Sequence, residues 1–174
     1  VFPVPDGDTG TNMSLTLRTA LEEVRKAQPT SMKEFVSALS SGSLIGARGN
    51  SGVILSQIIR GMAAAADNKA QITTEDFSQM LMKATEVAYK AVVTPVEGTI
   101  LTVVRRMSEH ASAVQIEEFA DYLVDVIKVG RQAVVETTAQ LPALAEAHVV
   151  DAGAEGLVTI LEGMLMGVRG EAVV

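Results

Sequence analysis

The chain has 174 residues and a formal net charge of −7, which argues against nucleic acid as a partner because phosphate backbones select basic surfaces. Hydrophobic residues make up 48% and charged residues 20%, which excludes a disordered chain, and no apolar run approaches the roughly 20 residues of a membrane span. There is no cysteine, which removes any disulfide framework or thiolate metal site and fits a reducing, cytoplasmic setting.

Aromatic residues are 3% of the chain and Trp is absent, so the core must be built from aliphatic side chains and Met, a composition that favours closely packed helices. In chain order, Asn12 to Ala27 has helical period and is stopped by Pro29. Met32 to Leu39 is a shorter helix, and Ser51 to Ala66 a long apolar one. Thr74 with Glu75 and Asp76 starts a helix that reaches about Val92, ahead of Pro95. Thr99 to Ala113 and the longest, Glu117 to Thr138, follow; a short turn around Pro142 leads to a last helix over Ala154 to Val168. His148 to Val150 is strand-like but too short for a sheet. The expectation is about seven helices in one all-α domain spanning residues 1–174. The chain opens with Val in a segment that reads as a loop, so it is expected to be a fragment of a longer protein.

Glycine-containing loops fall at the helix starts, where unpaired backbone N–H groups suit anions. The first is Pro5-Asp6-Gly7-Asp8-Thr9-Gly10-Thr11-Asn12. Two carboxylates two residues apart can face one point, and such oxygen ligands suit Mg²⁺, which takes its other ligands from water and phosphates. An EF-hand is excluded, because its sixth and twelfth positions would be Thr11 and Leu17. The second is Gly46-Ala47-Arg48-Gly49-Asn50-Ser51-Gly52, which is neither a Walker A loop nor a dinucleotide fingerprint. The third and fourth are Pro95-Val96-Glu97-Gly98-Thr99 and Asp151-Ala152-Gly153-Ala154-Glu155-Gly156. Each loop taken alone also reads as an ordinary helix cap, with Asn50 or Ser51 as the cap in the second. At one end of a bundle, the four can converge. His110 and His148 lack zinc-like spacing, the Met residues read as core filler, and Arg105-Arg106 reads as a solvated helix face. Since a triphosphate is repelled by bare carboxylates, divalent cations at Asp6 and Asp8 are the natural way for this acidic chain to hold one.

Four blocks carry a resemblance: residues 1–13 (Val-Phe-Pro-Val-Pro-Asp-Gly-Asp-Thr-Gly-Thr-Asn-Met), 46–57, 95–101 and 150–153. In this order they resemble the nucleotide-binding domain of bacterial fatty acid kinase and, at greater distance, the ATP-binding subunit of dihydroxyacetone kinases. The resemblance implies a barrel of eight antiparallel amphipathic helices, the first lying before Val1, with ATP at one end and two Mg²⁺ ions. It makes Asp6 and Asp8 the catalytic and metal-binding pair, with a third acid upstream. It places Thr9, Gly10, Thr11, Asn12, Arg48, Gly49, Asn50, Ser51, Gly52, Gly98 and Thr99 around the nucleotide, with phosphate contacts from the 50–52 loop and Thr99. Asp151 and Gly153 then lie near the ribose or base.

The implied activity is phosphorylation of a fatty acid carboxylate, presented by a separate fatty-acid-binding protein, to an acyl phosphate. A carboxylate is already ionised at neutral pH, so no general base is required. The remaining domains of the parent chain are further partners, and a homodimer is left open. Two alternatives stand beside this reading. One is a dihydroxyacetone-type kinase subunit, whose family more usually has His where Thr9 stands; the other is a non-catalytic helical interaction module whose glycine loops are only caps.

Overall fold

Helical periodicity in the sequence becomes helix throughout: the computed structural model describes residues 7–171, and every regular element among them is an α-helix. Asp6 and the five residues before it lie outside the described residues. The helices are α1 (Thr9–Ala27), α2 (Met32–Gly46), α3 (Gly49–Ala66), α4 (Thr74–Ala91), α5 (Ile100–Ala113), α6 (Phe119–Gln140), α7 (Pro142–Ala147) and α8 (Ala152–Val168). None of them is long and apolar enough to cross a membrane.

Several boundaries differ from the sequence expectation, each for a local reason. α2 continues through Ser40-Ser41-Gly42-Ser43, about two turns beyond Leu39. Gly42 and Ser43 are buried there; a Cβ added at Gly42 would stand 2.8 Å from Ala20 Cα of α1, so tertiary packing overrides the weak local propensity. The turn expected around Pro142 is the short helix α7, with Pro142 in its first turn, where a missing N–H costs nothing. The strand-like His148 to Val150 is a connection. His148 closes α7 in the left-handed region at φ 54°, and Val149 O accepts a hydrogen bond from Thr138 Oγ1 at 2.8 Å.

The chain divides into two compact units, Gly7–Pro95 and a second that begins at Val96. In the first, α1 packs on α2 and α3, α2 on α3, and α3 most extensively on α4. Its connections are short, so successive packed helices run antiparallel and α1 is brought parallel to α3. Met13, Leu55, Ile58, Phe77 and Leu81 are among its buried side chains, each contributing on the order of 1.5–3 kcal/mol. α4 begins with a reciprocal cap in which Thr73 Oγ1 accepts from Asp76 N–H at 3.1 Å and Asp76 Oδ2 accepts from Thr73 N–H at 2.9 Å.

In the second unit α6 lies against α5, α7 and α8, and α5 also touches α8. Tyr122 on α6 is buried, with Phe119 edge-on at a centroid distance of 5.9 Å. Val104, Met107, Leu123, Val126 and Val158 are buried with it. Arg131 of α6 ties α8 from the surface, reaching Glu155 and Glu162 at 2.7 Å.

Candidate functional site

The four glycine loops are brought together as two pairs, one in each unit. In the first unit the starts of α1 and α3 are neighbours: Ser51 Oγ lies 3.5 Å from the carbonyl of Thr9, and Gly49 faces the side-chain amide of Asn12. Asp8 and Ser51 therefore sit at the same end of this unit. The helices begin earlier than their period suggested, so Gly10, Thr11 and Asn12 form the first turn of α1, and Asn50, Ser51 and Gly52 that of α3. Neither Asn50 nor Ser51 is a cap; that position belongs to Arg48, whose side chain makes no capping bond.

Five of the helices have a first turn closed by a side chain at the cap: Ser31 on α2, Thr73 on α4, Thr99 on α5, Glu118 on α6 and Asp151 on α8. α1, α3 and the short α7 have none, and none of the three carries an acidic residue in its first turn. Among the described residues, no side-chain hydrogen bond caps the leading N–H groups of α1 and α3, and the positive ends of these two dipoles lie side by side. Arg48 is exposed, and its guanidinium makes a long 3.4 Å contact from Nη1 to the carbonyl of Ala47. Gly49 holds φ at 64°, a left-handed conformation that glycine adopts without a Cβ penalty.

Asp8 stands at the cap position of α1 but makes no capping hydrogen bond, and it is exposed. Its carboxylate has the oxygen chemistry that a hard divalent cation takes. No group of three or more His, Cys, Asp or Glu side chains suited to a metal occurs among the described residues; Asp6, the other member of the expected pair, lies outside them.

The second pair joins α5 and α8. Gly153 is 3.6 Å, from an ideal Cβ, to Ile100 Cβ, the first residue of α5. Here the polar atoms are engaged. Thr99 Oγ1 donates to Val96 O at 2.8 Å and accepts from Leu101 N–H at 3.3 Å. Thr102 Oγ1 donates to Glu97 Oε2 at 2.6 Å and accepts from Gly98 N–H at 2.8 Å. Gly98 is buried at φ 85°. Asp151 is 2% exposed; its Oδ2 accepts from Ala154 N–H at 2.9 Å and its own N–H donates to Thr137 Oγ1 at 3.0 Å. Oδ1 is buried without a hydrogen bond of good geometry. Burial pushes the Asp151 carboxyl above its ordinary value, against the backbone N–H groups of Ala154, Ile100 and Gly153, which favour the ionised form.

The residues set aside in the sequence are structural here. Arg105 pairs with Glu97 and Glu109, and Arg106 with Glu136, so both belong to ion pairs rather than to an open cationic face. His110 is bonded to Asp125 at 2.5 Å. One residue escaped the sequence reading: Thr16, fully buried, accepts the backbone N–H of Arg48 at 3.1 Å. One of four Thr residues in an amphipathic helix gives no sequence signal of such a contact.

The model of the DAK2 domain matches residues 3–166 of this chain. An uncharacterized protein of Staphylococcus epidermidis is 43% identical over 99% of the chain, and Protein YloV of Bacillus subtilis is 42% identical over the same share. An uncharacterized protein of Staphylococcus aureus is 41% identical. In each case the chain spans 32%, about a third, of the relative's length. With both α1/α3 and α5/α8 helix starts inside the matched segment, the chain belongs to the kinase-related DAK2 domain family.

Proposed function

We propose that this chain is an ATP·Mg-binding kinase domain whose phosphates are held by the paired starts of α1 and α3. The carrying observation is that these two neighbouring helices lack the side-chain caps and first-turn acids that close most of the other helix starts. Uncapped N–H groups of Gly10, Thr11, Gly49, Asn50 and Ser51, with the Ser51 hydroxyl and Arg48, suit phosphate oxygens, whereas the Asn12 N–H already donates to the Asp8 carbonyl at 2.8 Å. Asp8, with Asp6, is proposed to hold Mg²⁺; when bound, the ion neutralises charge on the phosphate oxygens. Gly98, Thr99, Asp151 and Gly153 keep, as a proposal, the nucleotide role that the resemblance implies.

The acceptor we propose is a fatty acid carboxylate presented by a separate binding protein. The resemblance of residues 1–13 and 46–57 supports this, and family membership supports a kinase role more broadly. An ionised acceptor needs no base, so positioning and charge neutralisation carry the step.

The test is calorimetric titration with ATP·Mg, followed by incubation with ATP, Mg²⁺ and a lipid-loaded binding protein, trapping acyl phosphate with hydroxylamine. Saturable binding and trapped product are expected with the partner present, and no product from free fatty acid and this chain alone. Turnover of dihydroxyacetone instead would transfer the domain to the triose kinases. Absence of ATP·Mg binding would leave a helical interaction module.

A further inference from the structure

We infer that Thr16 is a positioning residue for the phosphate-binding end of the α1/α3 pair, an inference that rests on the nucleotide reading above. Thr16 lies on α1, fully buried, and its hydroxyl is used twice. It donates to the carbonyl of Asn12 at 2.7 Å, the ordinary back-bond of a helical Thr. It also accepts the backbone N–H of Arg48 at 3.1 Å, 32 residues away. Arg48 is the residue from which α3 starts. A hydroxyl on the flank of one helix therefore fixes where the other helix begins.

The neighbouring positions are shaped around this contact. A Cβ added at Gly52 would land on Thr16 Oγ1, so the absence of a side chain there is what lets the hydroxyl reach Arg48 N–H. On the far side, Gly49 abuts the Asn12 side chain, with an ideal Cβ only 2.6 Å from Nδ2. Thr16 and Asn12 thus grip the chain on both sides of the α3 start, and the amides of residues 49–51 are held in one orientation relative to those of α1. Donors fixed before the ligand arrives lose less freedom on binding.

The experiment compares Thr16→Ala, Thr16→Val and Thr16→Ser in the full chain by ATP·Mg titration, with thermal unfolding and amide exchange at Arg48 as parallel readouts. Thr16→Ala is expected to weaken ATP·Mg about fivefold to tenfold, the worth of one hydrogen bond, and to speed exchange at Arg48. Thr16→Ser is expected to restore both to within about twofold. Thr16→Val is expected to follow Ala; should it fail to fold, Ala, which adds no bulk, decides. Unchanged affinity in a folded Thr16→Ala chain overturns the inference even if its melting temperature falls, because a purely structural role would do that. Equal weakening in Thr16→Ser and Thr16→Ala overturns it as well, since the hydroxyl would then not be the agent. Failure of the unaltered protein to bind ATP·Mg overturns the nucleotide reading, and the inference falls with it.

Discussion

The two pairs of helix starts draw on similar residues, a Gly at positive φ, a hydroxyl and an Asp, and use them differently. At α5 and α8 the Thr99 hydroxyl and the Asp151 carboxylate turn back onto their own helices as caps. At α1 and α3 the Asp8 carboxylate and the Arg48 side chain leave the helix starts uncapped. A cap and an anion compete for the same N–H groups. The first arrangement stabilises the protein by itself, whereas the second keeps binding capacity for a ligand.

The largest expected effect tests that contrast directly. Asp8→Ala, like Asp6→Ala, is expected to abolish Mg-dependent ATP binding in a calorimetric titration. Because Asp8 is exposed and caps nothing, its loss should change folding stability by less than about 0.5 kcal/mol. Asp151→Ala should do the reverse to stability, costing about 1–2 kcal/mol in chemical denaturation through the lost α8 cap. If the Asp8 variant unfolds more readily than the Asp151 variant, the contrast is wrong.

Next come the two glycines. Gly49→Ala and Gly98→Ala each force a left-handed conformation on an L side chain, at about 1–2 kcal/mol. Gly98→Ala should lower the melting temperature further, since its Cβ would stand 2.9 Å from Gln140 Cβ in a buried setting, while Gly49 is exposed. Gly49→Ala should also weaken ATP·Mg by displacing Asn12. Equal melting temperatures would remove the distinction between a built turn and an open one.

A smaller effect concerns pH. Burial raises the folded-state pKa of Asp151 above 3.8, so the folded protein holds that proton more tightly than the unfolded chain. The stabilisation from this tighter proton binding is therefore fully present at pH below 3.8 and is lost as pH rises through the raised value, leaving the cap hydrogen bond to Ala154 N–H. Asp151→Asn keeps an oxygen for Ala154 N–H and cannot ionise. The stability of the Asn variant relative to the unaltered protein should accordingly increase from acid to neutral pH in denaturation series. The smallest effect is Arg48→Ala, expected to weaken ATP·Mg a few-fold, more at low salt than at high salt, with stability unchanged.

The fold was legible where apolar residues keep helical period and Pro29 and Pro95 mark the stops. The α1/α3 glycine loop was legible because Arg48, Gly49 and Ser51 are chemically distinctive beside an apolar helix. What could not be read was set by tertiary contact. The run Ser40-Ser41-Gly42-Ser43 looks like a break until α1 packs on it. Likewise, Thr16 looks like any helical Thr until Arg48 N–H meets it. The starts of α2 and α4 fell at Met32 and Thr74 as expected, but those of α1, α3 and α8 came two or three residues early, because glycine and small polar residues in a first turn carry no periodic signal and a cap such as Asp151 declares itself only through the N–H it accepts.

With no Trp and only two Tyr, the protein carries its own pair of optical reporters. Tyr89 lies on α4 in the unit Gly7–Pro95, and Tyr122 on α6 in the unit that begins at Val96. A Tyr89→Phe chain would emit only from the second unit, and a Tyr122→Phe chain only from the first. The melting curve of each unit can therefore be followed by intrinsic fluorescence without an added label. A ligand that engages the α1/α3 helix starts should raise the Tyr89 transition directly, so the same two chains convert nucleotide binding into a unit-by-unit signal.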